Sequence, residues 1–429
     1  MTKKFDQTFF GKHGNYMTEI IAGITTFLTM AYIIFVNPEI LSATGMDKGN
    51  LIAVTCLVTG IVTILTGIFT NSPIAMAPGM GLNAFFAYSL VLGEKIRWEI
   101  ALGIVFISGL VFFILSLLGL RKKLIKAIPS ELLNAIAVGI GIFIAFMGLQ
   151  SLGLVIKNDA TMVAAGTINR SVLIGLAALL LMIILEINKI RGSLLMGIVF
   201  ATILSLLFKD TQLPDKIVSL NIDMSMLFGK LDILGAMKVA FLAPIFTLMF
   251  MDLFDSMGSL LGLAREADMI DDKGEIPQLG KLLGIDALGT MFGAVGGTST
   301  TTTYVESASG IASGGRTGLT SVVTGLSFLL AMLFVPLISI VPGNATAPAL
   351  IMVGFFMMKN IMKIDFKNIE IGFPSFIIII MIAFSYSISK GLAFGFLTFT
   401  LIKVLRGKGN EIKPTLWFIN LLSLLFFIV

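Results

Sequence analysis

Long apolar runs, each cut by charged residues or by Gly and Pro, recur along the whole chain and predict an all-α polytopic membrane protein of about fourteen segments. They fall near 18–41, 51–70, 73–91, 99–120, 130–154, 171–188 and 193–208. After a polar stretch they resume near 235–263, 281–296, 298–312, 316–341, 345–361, 369–389 and 391–405. The apolar tail 416–429 reads as a peripheral helix or as part of the last span. Two segments break the pattern. The third, Ser72–Phe86, carries Pro73, Pro78, Gly79 and Gly81, which a regular helix start does not accommodate. It predicts an extended stretch followed by a half-helix opening near Gly81. The tenth holds the run Thr300 to Thr303, which favours extended backbone, and then Glu306 at a helix start.

Composition fixes the solvent. Of 429 residues, 56% are hydrophobic and 13% charged, with a mean hydropathy of +0.99. Soluble domains carry about 25% charged residues, so this chain buries its apolar surface in lipid. The net charge of +5 belongs to loops. No basic block long enough for nucleic acid occurs, and a single histidine, His13, lies near the N-terminus. One cysteine, Cys56, excludes a disulfide framework and a cysteine metal site. Residues 1–16 are polar and predict no removable signal peptide, the first helix directing insertion.

Lys and Arg set the orientation. Lys3, Lys4 and Lys12 precede segment one, and Arg121, Lys122, Lys123 and Lys126 follow segment four. Lys189 and Arg191 follow segment six, Lys359, Lys363 and Lys367 segment twelve, and Arg406, Lys408 and Lys413 segment fourteen. All share one side if the N-terminus is cytoplasmic.

The halves 1–208 and 235–429 resemble each other weakly. Gly109-Leu-Val-Phe-Phe-Ile-Leu matches Gly325-Leu-Ser-Phe-Leu-Leu-Ala, and Ile128-Pro129 with Val138-Gly139 matches Val341-Pro342 with Val353-Gly354. Seven is odd, so two consecutive seven-segment copies are inverted, the architecture of secondary transporters, whose substrate sits where broken helices meet.

Acids at membrane depth mark function by default. Segment eight carries Asp252 and Asp255, three apart and therefore on one helix face. With Glu306 and Asn83 they read as the only polar constellation available at depth. A carboxylate accepts the N–H groups along the edge of a purine ring, and Asn83 both donates and accepts. Phe85, Phe86 and Tyr304 offer rings for stacking on a planar base or for helix packing. Asp252 reads equally well as a structural cap. The acids Asp268, Asp271 and Asp272 read as a solvated loop.

Four stretches carry a resemblance that covers nearly the whole chain: Glu19-Ile-Ile-Ala-Gly-Ile-Thr-Thr-Phe, Ala77-Pro-Gly-Met-Gly-Leu-Asn-Ala-Phe-Phe, Asp252-Leu-Phe-Asp-Ser-Met-Gly and Thr302-Thr-Tyr-Val-Glu-Ser. Through them the chain resembles the AzgA-like purine permeases of the nucleobase–cation symporter superfamily. The resemblance implies a uracil-permease-like fold of two inverted repeats. Its core domain would be 18–120 with 235–341, and its gate domain 130–208 with 345–405. It implies purine uptake (hypoxanthine, guanine or adenine) by proton symport with elevator-like alternating access, in the plasma membrane, by homodimers joined through the gate. Na⁺ is the other candidate coupling ion, and no cofactor is implied. The family's acids fall on Asp255 and Glu306 and its segment-three amide on Asn83. Phe85, Thr303 and Tyr304 complete the expected substrate contacts, and Asp252 joins the two acids in cation coupling. Where uracil permeases carry a histidine four residues after the segment-eight acid, this chain has Ser259. The other readings are the same fold moving xanthine, uracil or another small solute, and an intramembrane metal-dependent transferase.

Overall fold

A computed structural model describes residues 15–118, 129–219, 224–271, 276–414, 416–417, 420–421 and 424. His13, Asp272, the basic groups at 3, 4, 12, 121–123 and 126, and most of the tail lie outside these residues. Among the described residues, besides the short helices Ile233–Ala236 and Val335–Ser339, fifteen α-helices carry the fold. They are α1 (Tyr16–Met30), α2 (Ile33–Ser42), α3 (Lys48–Thr70), α4 (Met80–Ala84), α5 (Trp98–Leu117), α6 (Ser130–Leu152), α7 (Arg170–Ile187) and α8 (Ser193–Leu207) in the first half. The second half holds α9 (Leu242–Glu266), α10 (Leu279–Gly296), α11 (Ser307–Ala312), α12 (Gly318–Ala331), α13 (Gly343–Met358), α14 (Ile369–Ser385) and α15 (Ile388–Leu405). Among the described residues, nine helical stretches have the length and hydropathy to cross a membrane, and Met80–Gly93, Ser193–Leu207 and Ile369–Ser385 are shorter apolar helices.

Segments three and ten do not cross as helices. The third enters as β1 (Met76–Pro78) and continues as α4, which widens into a π-helix over Phe85–Gly93. The tenth enters as β4 (Thr301–Thr303), and its helical part, α11, is six residues long. A hairpin of β2 (Val155–Asn158) and β3 (Met162–Ala165), absent from the sequence reading, follows α6. Segment one is α1 and α2 joined through Ala31 and Tyr32.

The helices pack mainly in two groups. α3 lies on α12, α10 on α5 and α1 on α12 in one group, whereas α6 lies on α13 and α14, and α14 on α15, in the other. Small residues let backbones approach where lipid gives no hydrophobic drive. A Cβ on Gly318 would lie 2.0 Å from the Gly67 carbonyl oxygen, and one on Gly325 would lie 2.5 Å from that of Gly60. In the other group a Cβ on Gly354 would stand 2.3 Å from the Gly141 oxygen.

These contacts leave no room for a methyl group. Gly318→Ala should cost about 1–3 kcal/mol by forcing α3 and α12 apart, read as a lowered melting temperature of the purified protein. Gly284→Ala, where an added Cβ meets nothing within 4 Å, is the control expected to melt with the wild type.

Candidate transport site

At the centre β1 and β4 pair antiparallel, in the register Met76↔Thr303, Ala77↔Thr302 and Pro78↔Thr301. The pairing extends at both ends, Gly79 N donating to Thr300 O at 2.9 Å and Tyr304 N to Ala75 O at 3.0 Å. Irregular backbone at this depth must find partners inside the protein. Hydroxyls supply the rest. Thr63 Oγ1 donates to Met76 O (2.9 Å), Ser321 Oγ to Ser72 O and Ile74 O (2.8 and 2.9 Å), and Ser307 Oγ accepts from Ala75 N (3.0 Å).

Beside the strands lies a cavity of about 640 Å³ between the two helix groups. Gly81 and Leu82 of α4 and Phe250, Phe254 and Asp255 of α9 line it from one group. Ile140 of α6, Phe356 of α13 and Phe396 of α15 line it from the other. It reaches the surface beside Ser130, Asn360 and Lys363. Towards the opposite end of α6 the groups close on each other. Tyr88 packs edge-on against Phe143, and Phe143 against Tyr386 (5.7 and 5.2 Å between centroids). There Ser89 Oγ accepts from Ile388 N at 3.0 Å.

The structure spreads the expected residues over three environments. Asp255 is exposed to the cavity, its Oδ2 accepting from Thr302 Oγ1 at 3.3 Å, while Thr302 also pairs with Ser256 at 2.9 Å. Asp252, one turn earlier, is 1% exposed and faces α10, where Thr290 Oγ1 donates to its Oδ2 at 2.9 Å. Thr290 also reaches Thr301 O at 3.2 Å, so Asp252 is tied to the back of β4. Glu306 begins α11 half-buried, and its Oε1 accepts from the Tyr32 hydroxyl at 2.5 Å.

Asn83 does not line the cavity. It is fully buried, and its Nδ2 donates to Asn37 Oδ1 at 2.6 Å. Asn37 Nδ2 in turn reaches Thr55 Oγ1 and Thr298 Oγ1 at 2.6 and 3.2 Å. Phe85 and Phe86 are buried in packing, and Tyr304 turns its hydroxyl to Pro78 O at 2.7 Å. Thr303 is 3% exposed, with an unpartnered hydroxyl. The rings that border the cavity are instead Phe246, Phe250, Phe254, Phe356 and Phe396.

Three residues of this region went unread in the sequence. Asp286 on α10 is fully buried, and neither of its carboxyl oxygens meets a donor among the described residues. It stands four residues before Thr290, on the helix face turned to α9 and β4, and Thr301 Oγ1 donates to its backbone oxygen at 3.4 Å. The signal was available: Asp286 is an acid inside an apolar span. Asn37 and Tyr32, inside segment one, carried a similar and weaker one. The view of Asp252, Asp255, Glu306 and Asn83 as the whole polar set at depth is therefore corrected. Among the described residues no grouping of three or more His, Cys, Asp or Glu could hold a metal ion.

A multi-pass helical bundle with a carboxylate in an internal cavity, open at one end and closed at the other by its two helix groups, is a membrane transporter. The chain belongs to the permease family, whose model matches residues 17–394. It is 41% identical to the adenine permease AdeQ of Escherichia coli, over 94% of this chain and 91% of that one. It is 40% identical to the guanine/hypoxanthine permease PbuG of Bacillus subtilis, over 96% and 97%. Among solved structures it resembles the transmembrane domain of the cyanobacterial bicarbonate transporter BicA, with a TM-score of 0.67 and 16% identity, covering 88% of this chain and 97% of that one. That likeness bears on the fold alone.

Because Asn83 faces Asn37, the two amides should act as a unit. Asn37→Ala or Asn83→Ala should each cost about 1–3 kcal/mol of stability by orphaning a buried partner. The double variant should lose little more than either single one. Fully additive losses in a thermal-melt cycle would contradict the pairing.

Proposed function

We propose that this permease imports purine nucleobases by proton symport, and the observation that carries the reading is Asp255. It is a cavity-exposed carboxylate among aromatic rings, beside backbone freed from helix by β1 and β4. A purine edge offers N–H donors to the carboxylate and two faces to the rings. The cavity's 640 Å³ leaves space for a base together with water. The relatives named for adenine and for guanine and hypoxanthine support the same class of substrate. Xanthine or uracil is the second reading within this fold. The bicarbonate transporter shares the architecture, but an exposed carboxylate repels an anion.

In this account the halves 1–208 and 235–429 are inverted repeats of seven segments. The pattern of packing supports it: segment two on eleven mirrors nine on four, and five on twelve and three on ten pair with themselves. Residues 18–120 with 235–341 form the moving core. Residues 130–208 with 345–405 form the gate, through which two copies pair in the plasma membrane. With the N-terminus cytoplasmic, the open mouth at Ser130, Asn360 and Lys363 faces the cytoplasm. The elevator step then separates Ser89 from Ile388 and Tyr88 from Phe143. Asp255, with Asn83, Phe85, Glu306, Thr303 and Tyr304 shaping the site around it, binds the base.

Coupling follows from charge. In this account the coupled proton is carried among the acids Asp252, Asp255 and Glu306, and Asp286, bonded through Thr301 to the same side of β4 as Asp252, joins them.

Uptake of radiolabelled hypoxanthine, guanine, adenine and uracil, in cells lacking their own nucleobase permeases, tests the reading. Purine accumulation should collapse with a protonophore. Asp255→Asn should weaken binding about 10- to 100-fold, the worth of a hydrogen bond to a charged group. No uptake of any base by well-expressed protein would reject the substrate. For coupling, Asp286→Asn should keep base counterflow in vesicles while losing accumulation driven by a pH gradient. Retained accumulation would remove the deep pair from the mechanism.

A further inference from the structure

The cavity wall that faces α9 carries four polar side chains, Ser130, Asn134, Asn360 and Lys363. Three of them have partners. Ser130 Oγ donates to Glu131 Oε2 at 3.0 Å, Lys363 Nζ to Asn360 Oδ1 at 3.0 Å, and Asn360 Nδ2 to Met357 O at 3.1 Å. Asn134 of α6 is half-buried, and its amide has no hydrogen-bond partner among the described residues. Its depth matches that of Asp255. α6 starts at the mouth and segment three ends at the closed seam, so both run the same way, and they touch midway. A Cβ on Gly81 would lie 3.1 Å from Ile140 Cγ2. From Ile140, six residues of helix lead back to Asn134, about 9 Å towards the mouth. From Gly81, two helical steps and two strand steps lead back to Ala77, about 10 Å in the same direction. Ala77 pairs with Thr302, whose hydroxyl donates to Asp255. The amide and the carboxylate therefore stand at about the same depth on opposite walls.

We propose that Asn134 is a specificity-determining residue that reads the substituent at position 6 of the purine. This rests on the nucleobase reading above. A purine carries its imidazole N–H and its 6-substituent on opposite edges. A base that gives that N–H to Asp255 therefore turns the substituent to the facing wall. The substituent is a carbonyl acceptor in hypoxanthine and guanine and an amine donor in adenine. An amide meets either, since half a turn about its Cβ–Cγ bond exchanges its oxygen and its NH2. The cavity thus takes 6-oxo and 6-amino purines alike. In the elevator account Asn134 belongs to the gate and Asp255 to the core. The base then holds both contacts while the mouth is open and leaves the amide behind as the core moves.

The test is equilibrium binding of hypoxanthine, adenine and unsubstituted purine to the purified full chain, Asn134→Asp and Asn134→Leu. It is run at mildly alkaline pH, where the introduced carboxylate is ionised. A carboxylate accepts from an amine and repels a carbonyl, so Asn134→Asp should shift the affinity ratio about tenfold from hypoxanthine towards adenine. Asn134→Leu should weaken both about fivefold, the worth of one neutral hydrogen bond, and leave purine, which has only hydrogen at position 6, unchanged. Purine weakened as much as the other two would mean a packing role and overturn the proposal. An unchanged ratio in Asn134→Asp, with binding intact, would overturn it as well. Should the variants not fold, the wild type decides alone: hypoxanthine should bind about fivefold more tightly than purine, and equal affinities would overturn the proposal. A wild type that binds no purine base overturns the substrate reading together with this one.

Discussion

Backbone polarity in an apolar solvent is the constraint on which the rest of this protein depends. A helix satisfies its own N–H and C=O groups, but Pro73, Pro78, Gly79 and the Thr300–Thr303 run prevent helix in segments three and ten. Each segment supplies what the other lacks. β1 and β4 pair over three residues, and the hydroxyls of Thr63, Ser307 and Ser321 satisfy the flanking groups. Neither strand could exist at this depth alone. The pair in turn fixes what grows from it: α4 leaves one strand, the turn bearing Tyr304 and Glu306 leaves the other, and α9 and α10 pack behind.

The same pair divides the acids. On its cavity side stands Asp255, bonded to β4 through Thr302. On its far side are Asp252 and Asp286, connected to β4 through Thr290 and Thr301. A strand two hydroxyls thick separates a carboxylate that can meet solute from carboxyls that cannot. The cavity-facing carboxylate and the buried carboxyls thus occupy adjacent but distinct places. The close-packed glycines of α3 and α12 keep this assembly rigid, while the boundary with α6, α13 and α15 is lined by Phe and Ile side chains. Such a boundary of aliphatic and aromatic side chains suits the proposed movement of one helix group past the other.

Much of this was legible in the residues. The Gly/Pro run of segment three and the Thr run of segment ten announced extended backbone, and both strands lie where they were expected. Asp255 stood out as an acid at depth and does face a cavity. What the pattern did not reveal depends on pairings distant in sequence. Asp252 and Asp255 share a face by spacing, yet the offset of about 60° that three residues leave around a helix sends one to α10 and the other to the cavity. Asn83 was read for what its amide could offer a base, whereas its partner Asn37, 46 residues away, claims that amide. The cavity's rings come partly from α13 and α15, far along the chain, so Phe85 and Tyr304 looked nearer the site than they are. The nine residues of π-helix and the two short strands of the hairpin likewise carry no strong local code, because packing rather than propensity selects them.

A structure of the purified protein with hypoxanthine bound tests the central claim most directly. The account predicts the base in the cavity beside β4, a ring N–H within hydrogen-bonding distance of an Asp255 oxygen and its face against Phe250, Phe254, Phe356 or Phe396. A base seated away from Asp255, with β1 and β4 unpaired or remote from it, would contradict the account.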